Sequence, residues 1–283
     1  MDGPARCCRG AEVRRQSGFS LIEVIMVLVI TGIVGAITAS FIQRPVASYF
    51  DAARRAALSD TADLALRRIG RELRTALPNS VRIAGAGSAI EFVPTVAAGR
   101  YAQVAAEPCF VGSGCTSLTM LGSLGAAANA YAGFGLVIFN YYNNSGGDCA
   151  AATLPSIYCD HNAAAVTAST TTSGQDRFSF AATRFYPANG SPNRRFQLVG
   201  GPVSFVCSGS VLRRYTGYPR QALQPTGFAL GSSAVLATGI SACSFSYQAG
   251  VLQRLGLVAA RLALTSEGET VSLYEEIHVD NTP

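Results

Sequence analysis

The chain reads as an α+β protein, in which a long N-terminal helix crosses a membrane with its first half and packs with its second half on an antiparallel β-sheet whose loops are pinned by disulfides. Three observations predict this. Residues 19–42 are apolar with one formal charge, Glu23; residues 49–77 continue with helical periodicity; and roughly the last eighty residues alternate apolar and polar side chains at the period of a strand.

The apolar run is 24 residues long and reaches about 36 Å at 1.5 Å per helical residue, enough for a hydrocarbon core of about 30 Å. A secretory signal peptide is excluded, because its apolar region is about 7–15 residues long and ends in small residues at a cleavage site. An ordinary anchor fits the length but leaves Glu23 unexplained, since a carboxylate costs about 2.5–3.5 kcal/mol at mid-bilayer and less near the interface. Thr31, Gly35 and Ala39 recur every four residues, as do Gly32, Ala36 and Ser40. Such rows let helices approach closely in lipid, although ordinary spacing of small residues in a membrane helix gives the same pattern. Gln43, Arg44 and Pro45 end the run, and the missing Pro45 donor predicts a kink or local unwinding near residues 41–45.

The junction itself, Ser17-Gly18-Phe19-Ser20-Leu21-Ile22-Glu23 after a basic leader, resembles the prepilin signature of the type IV pilin-like superfamily. The resemblance implies a pilin-like fold and cleavage after Gly18 by a prepilin peptidase at the cytoplasmic face. Phe19 would then be the new N-terminus and would be N-methylated. Glu23 would lie five residues into the mature chain and pair with the N-terminal ammonium of a neighbouring subunit. The implied partners are other pilins and minor pilins, met through the helix, together with the inner-membrane assembly platform. Physics agrees with this role for Glu23: near the interface it reaches water, whereas in a filament core its charge needs a partner.

Charge and cysteine usage fix the sidedness. All 22 basic residues among the 283 are arginine, and the formal net charge is +5. Arg6, Arg9, Arg14 and Arg15 against Asp2 and Glu12 give the leader +2, leaving +3 for the rest, too mild a balance to argue for nucleic acid. Arginines just before an apolar span keep the N-terminus cytoplasmic, so the remainder lies across the bacterial inner membrane in the periplasm. Cys7 and Cys8 leave with the leader, and Cys109, Cys115, Cys149, Cys159, Cys207 and Cys243 form an even set in an oxidising space, predicting three disulfides. Sequential pairing, 109/115, 149/159 and 207/243, is the choice among fifteen connectivities.

Beyond the span, Leu58, Ala62, Ala65, Ile69, Leu73 and Leu77 step by three or four, while Asp51 with Arg55, Asp63 with Arg67 and Arg68 with Glu72 form i,i+4 pairs. One face is therefore apolar and needs a sheet. Arg54-Arg55 and Arg67-Arg68 read as a salt-bridged, solvated face in preference to a lipid or DNA surface, because acids interleave with them. Pro78-Asn79 stops the helix. The organisation expected is a leader (1–18), a membrane or filament-core helix (19–44), its amphipathic continuation (45–78) and a β-rich periplasmic domain (79–283).

Within that domain, residues 81–83, 89–93 and 135–139 read as strands, and the Ala-, Gly-, Ser-, Thr- and Asn-rich stretches 112–133 and 143–175 as long loops. Cys109/Cys115 and Cys149/Cys159 lie within or beside those loops, where a disulfide restrains a segment with little core of its own. Cys149, Cys159, Asp160 and His161 are ligand types for zinc, and residues 143–148 offer oxygens of the kind calcium takes, but neither spacing matches a zinc or EF-hand pattern. No cofactor is expected, with calcium at residues 143–148 the alternative left open. In Val203-Ser204-Phe205-Val206-Cys207 and Cys243-Ser244-Phe245-Ser246-Tyr247 the cysteines share the apolar face, placing them to bond between strands. Val258, Ala260, Leu262 and Leu264 continue the alternation, Ser266-Glu267-Gly268-Glu269 reads as a hairpin turn, and Val271, Leu273, Ile277 and Val279 supply the closing strand.

Arg194-Arg195-Phe196-Gln197-Leu198 leading to Gly201-Pro202-Val203, Leu212-Arg213-Arg214-Tyr215, Ala242-Cys243-Ser244-Phe245-Ser246-Tyr247 and the terminal His278-Val279-Asp280-Asn281-Thr282-Pro283 resemble the MshO-type biogenesis proteins of mannose-sensitive haemagglutinin (MSHA) pili. That resemblance implies a minor pilin that initiates or regulates a pilus. Two alternatives keep the same anchor: a J-class pseudopilin of type II secretion, and an adhesin or DNA-binding pilus subunit. An enzyme is disfavoured, because the chain has only His161 and His278 and lacks a phosphate loop, a paired-carboxylate cleft and a nucleophile elbow.

Overall fold

A computed structural model describes residues 18–102, 109–150, 155–225, 231–249 and 255–283. The chain divides into two units, residues 1–53 and 54–283. One helix, α1 (Leu21–Leu73), runs through both.

In the first unit α1 shows apolar side chains on every side: Ile22, Ile25, Val29, Ile33 and Ile37 are all about half exposed or more. Its hydroxyls bond within the helix, Thr31 Oγ1 to the Val27 carbonyl at 2.6 Å and Thr38 Oγ1 to the Val34 carbonyl at 2.8 Å. An apolar medium requires that internal satisfaction of polar groups. The unwinding expected at residues 41–45 does not occur, and helix runs unbroken through Pro45. A proline forfeits its own bond to the carbonyl four residues back, whereas its neighbours keep theirs.

The second unit takes α1 from Arg54 and adds fourteen described strands. These are β1 (Arg82–Ala84), β2 (Ala89–Phe92), β3 (Thr95–Arg100), β4 (Cys115–Thr119), β5 (Gly135–Val137), β6 (Ala163–Thr172) and β7 (Gln175–Thr183). Then follow β8 (Arg195–Val199), β9 (Val203–Ser208), β10 (Val211–Thr216), β11 (Ser232–Thr238), β12 (Ile240–Gln248), β13 (Gly256–Ser266) and β14 (Glu269–Val279). They form three antiparallel sheets, ordered β1-β2-β9-β10-β11, β12-β13-β14 and β3-β8-β5-β6-β7-β4. Where the sequence predicted one sheet there are three, because β2 pairs directly with β9 and everything between them folds on itself as an inserted six-stranded layer.

The expected apolar stripe of the helix is buried as predicted, Ala62, Ile69 and Leu73 completely. It packs on Phe92, Phe205 and Leu212 of the five-stranded sheet and on Val258, Leu262 and Ile277 of the three-stranded one. The inserted layer has a separate core built on Phe178, Phe180, Phe185, Phe196 and Leu198. Leu77, Val93, Val137, Ile157 and Tyr158 belong to a third, smaller cluster.

Two sequence expectations are corrected by pairing that only the fold supplies. α1 ends at Leu73 and not at Pro78, since Ala76 bridges Pro94 and Leu77 N–H bonds the Val93 carbonyl at 2.7 Å. The supposed loops 112–133 and 143–175 contain β4 and the ten-residue β6. Their small residues weaken the alternating pattern, yet β6 pairs on both flanks, with β5 and β7. The hairpin at 266–269 is as expected: Ser266 pairs with Glu269, and Glu267 (φ 50°) and Gly268 (φ 85°) are both left-handed, the conformation of a two-residue turn that matches strand twist.

Candidate functional site at the helix start

Gly18, Phe19 and Glu23, the residues singled out in the sequence, lie just before and within the first turn of α1. Ser20 caps it: Glu23 N–H reaches the Ser20 hydroxyl at 3.3 Å and the Ser20 carbonyl at 3.1 Å, and Val24 N–H reaches that carbonyl at 3.3 Å. A capping hydroxyl takes up one of the first-turn amides that no helical carbonyl can reach. Glu23 is the acidic residue of that turn, where carboxylate charge and the positive end of the helix attract. The spacing Ser-x-x-Glu is the capping-box pattern, so a helix start at residue 21 could have been read from sequence together with the junction.

Gly18 lies outside the helix. A Cβ built on Gly18 would meet no heavy atom within 4 Å, and its backbone is not left-handed. Neither packing nor conformation in this chain calls for glycine there, so any requirement for it comes from a molecule that acts on the chain. Phe19 is 81% exposed and Leu21 82%. The Gly18-Phe19 peptide is therefore accessible, with the Glu23 carboxylate one helical turn beyond it. Residues 1–17, with Cys7, Cys8 and the arginines of the expected leader, lie outside the described residues.

The other candidates are held in the second unit. Disulfides join Cys109 to Cys115, Cys149 to Cys159 and Cys207 to Cys243. The third ties β9 to β12, so it links the two sheets that enclose α1, and both of its cysteines pack half-buried against the main core. Cys149 and Cys159 are thus taken up in a bond, and Asp160 Oδ1 accepts from Arg220 at 2.7 Å. Among the described residues no group of three or more His, Cys, Asp or Glu is placed to hold a metal. Arg67 pairs with Asp63 at 2.6 Å and Arg68 with Glu72 at 2.8 Å, as the helical spacing predicted, while Arg55 reaches Glu269 of the β13–β14 turn at 3.3 Å. His278 is exposed between buried Ile277 and Val279.

Sequence reasoning gave no sign of a buried polar cluster on β1 and β2. Arg82 and Glu91 pair there, with the Arg82 guanidinium carbon 3.5 Å from the Tyr158 ring centroid and the Tyr158 hydroxyl donating to the Ser80 carbonyl at 2.6 Å. Burial pushes the Glu91 carboxyl above its ordinary value against the pull of Arg82, and burial likewise holds the Tyr158 and Tyr218 hydroxyls protonated. No local pattern signals such a pair, because its two members meet only through strand register.

An α+β chain with this capped, exposed apolar helix start has the architecture of a pilin-like protein. The family model described as the prokaryotic N-terminal methylation motif matches residues 13–39. The chain thus carries a type IV pilin-like prepilin signal and, among the described residues, one apolar helix of membrane-anchor length. Comparison with curated proteins and comparison with solved structures each give no match.

Proposed function

We propose that the chain is a minor pilin of an MSHA-like type IV pilus, cleaved after Gly18, N-methylated on Phe19 and drawn from the inner membrane into a filament through its N-terminal helix. The observation that carries this reading is the helix start. Glu23 sits one turn from an exposed Gly18-Phe19 bond on a helix whose apolar side chains are exposed all round. Cleavage converts the Phe19 amide into an ammonium, and a carboxylate close to that level neutralises it when both leave water. The methylation motif supports the processing step, and the fragments resembling MshO-type proteins support the subfamily.

In this reading the N-terminus is cytoplasmic, residues 79–283 are periplasmic, and the partners are other minor pilins, the prepilin peptidase and the assembly platform. Intact-mass and N-terminal analysis of the protein from cells with and without prepilin peptidase tests it. The expected product is a chain beginning at methylated Phe19, made only where the peptidase is active; a mature chain retaining Met1 refutes the reading. Deletion assayed in parallel for surface pili and for protein export separates the pilus from a type II secretion pseudopilus.

A further inference from the structure

We propose that the outer edge of β11, with the arginine ridge of α1 beside it, is a docking site for an extended, carboxylate-bearing segment of a partner protein that adds to the sheet as a further strand. β11 is the last strand of its sheet, so among the described residues the backbone groups on its far side have no ladder partner. Edge strands are commonly blunted by charge or proline, and Ser232-Ser233-Ala234-Val235-Leu236-Ala237-Thr238 has neither. Residues 232–235 are all exposed, whichever face they belong to. A bulge at Leu236, where the register steps from Leu212↔Ala237 to Arg213↔Val235, leaves these four in a regular ladder with β10. The longer edge strand β14 carries Glu269, Glu275 and Glu276 and so repels an acidic strand.

Between β11 and the helix runs a groove of about 440 Å³, lined by Leu64, Arg67, Arg68, Arg71, Val235 and Leu236, with no acidic residue in its walls. Arg67 and Arg68 have helical carboxylate partners, whereas Arg71 has no ion-pair partner among the described residues. Leu64 is 68% exposed and Val235 51%. The site therefore offers three things at once: edge amides and carbonyls, a guanidinium able to take a carboxylate bidentately, and apolar surface from Leu64 and Val235. A nucleic acid would use the arginines but leave the edge and the apolar pair without a role. All of these residues lie in the second unit, so the inference does not depend on the fate of the Gly18-Phe19 bond.

The test uses the full chain in detergent micelles and a fluorescent heptapeptide, Thr-Glu-Val-Glu-Val-Glu-Thr, followed by anisotropy. The expected result is saturable binding that weakens at least tenfold with Arg71→Glu, with Val235→Pro, and when lysines replace the glutamates of the peptide. Circular dichroism checks that each variant is folded; Arg71 is exposed, so its variant reports on the site even if Val235→Pro unfolds the chain. Absence of saturable binding, equal binding of the two peptides, or unchanged binding by the folded variants overturns the proposal. So does an oligo-dT that displaces the peptide and binds Val235→Pro undiminished, and so does a photo-cross-linker at position 235 that captures only a second copy of this chain in cells.

Discussion

Arg82 and Glu91 lie directly opposite one another on β1 and β2, with Nη2 2.9 Å from Oε2 and side chains only 1% and 0% exposed. Arg82 also donates to the carbonyls of Ala222 at 2.6 Å and Gln221 at 2.8 Å, so this one guanidinium fastens the chain at 221–222 to the five-stranded sheet. Removing one member of a buried pair leaves the other charge uncompensated, which costs about 3–5 kcal/mol. Glu91→Ala is expected to lower unfolding stability by that amount in denaturant titration of the full chain in detergent. A loss below about 1 kcal/mol would mean that Glu91 does little to hold Arg82.

Asp176 gives the fold an acid-sensitive point in the inserted layer. Burial pushes its carboxyl up, but hydrogen bonds from Thr171 Oγ1 (2.6 Å), Leu124 N–H (2.7 Å) and Ser123 Oγ (2.8 Å) together outweigh it and hold the carboxyl below its ordinary value. Because the folded value is the lower one, the ionised carboxylate contributes stability above the unfolded value of about 3.9, and that contribution is lost as pH falls through the folded value. Asp176→Asn is therefore expected to destabilise the chain at pH 7 by about 1.5–3 kcal/mol and to flatten its stability profile below about pH 4. Parallel acid titrations of both proteins, followed by circular dichroism, check this; superimposable profiles would contradict it.

The three disulfides are expected to differ in worth. Cys207 and Cys243 are 36 residues apart and Cys109 and Cys115 only six. In the chain-entropy account the first contributes about 4 kcal/mol and the second about 2.4 kcal/mol. Replacing each pair with serine should lower the midpoint of thermal unfolding most for Cys207/Cys243. The reverse order would show that native contacts around the bonds outweigh loop closure.

Glu23 belongs to the assembly reading. Glu23→Leu is expected to leave membrane insertion intact, since it removes a charge from an apolar helix, and to reduce recovery of the protein in sheared filaments at least tenfold. Ser20→Ala is the control, because it removes only the cap at a cost of about 1 kcal/mol to the helix. Equal filament recovery for Glu23→Leu and the parent would refute the role.

The long helix, its apolar anchor, the buried stripe from Leu58 to Leu77 and the β13–β14 hairpin were legible because each is written in a local period: 3.6 residues, an unbroken apolar run, or two residues with a turn between. The methylation motif over residues 13–39 was legible for the same reason, being contiguous. What misled was composition. The Ala- and Thr-rich β6 has too little side-chain contrast to show as a strand, and only its neighbours β5 and β7 make it one.

By itself, then, the sequence determined an anchored α+β chain with a prepilin-type start, since charge, apolar length and periodicity are properties of neighbouring residues. The tertiary structure alone decided that the β-rich part is three sheets, that α1 stops at Leu73, and that Arg82 meets Glu91. Those outcomes rest on strand register and on pairing between distant segments, and no local pattern encodes which distant segment a strand will meet.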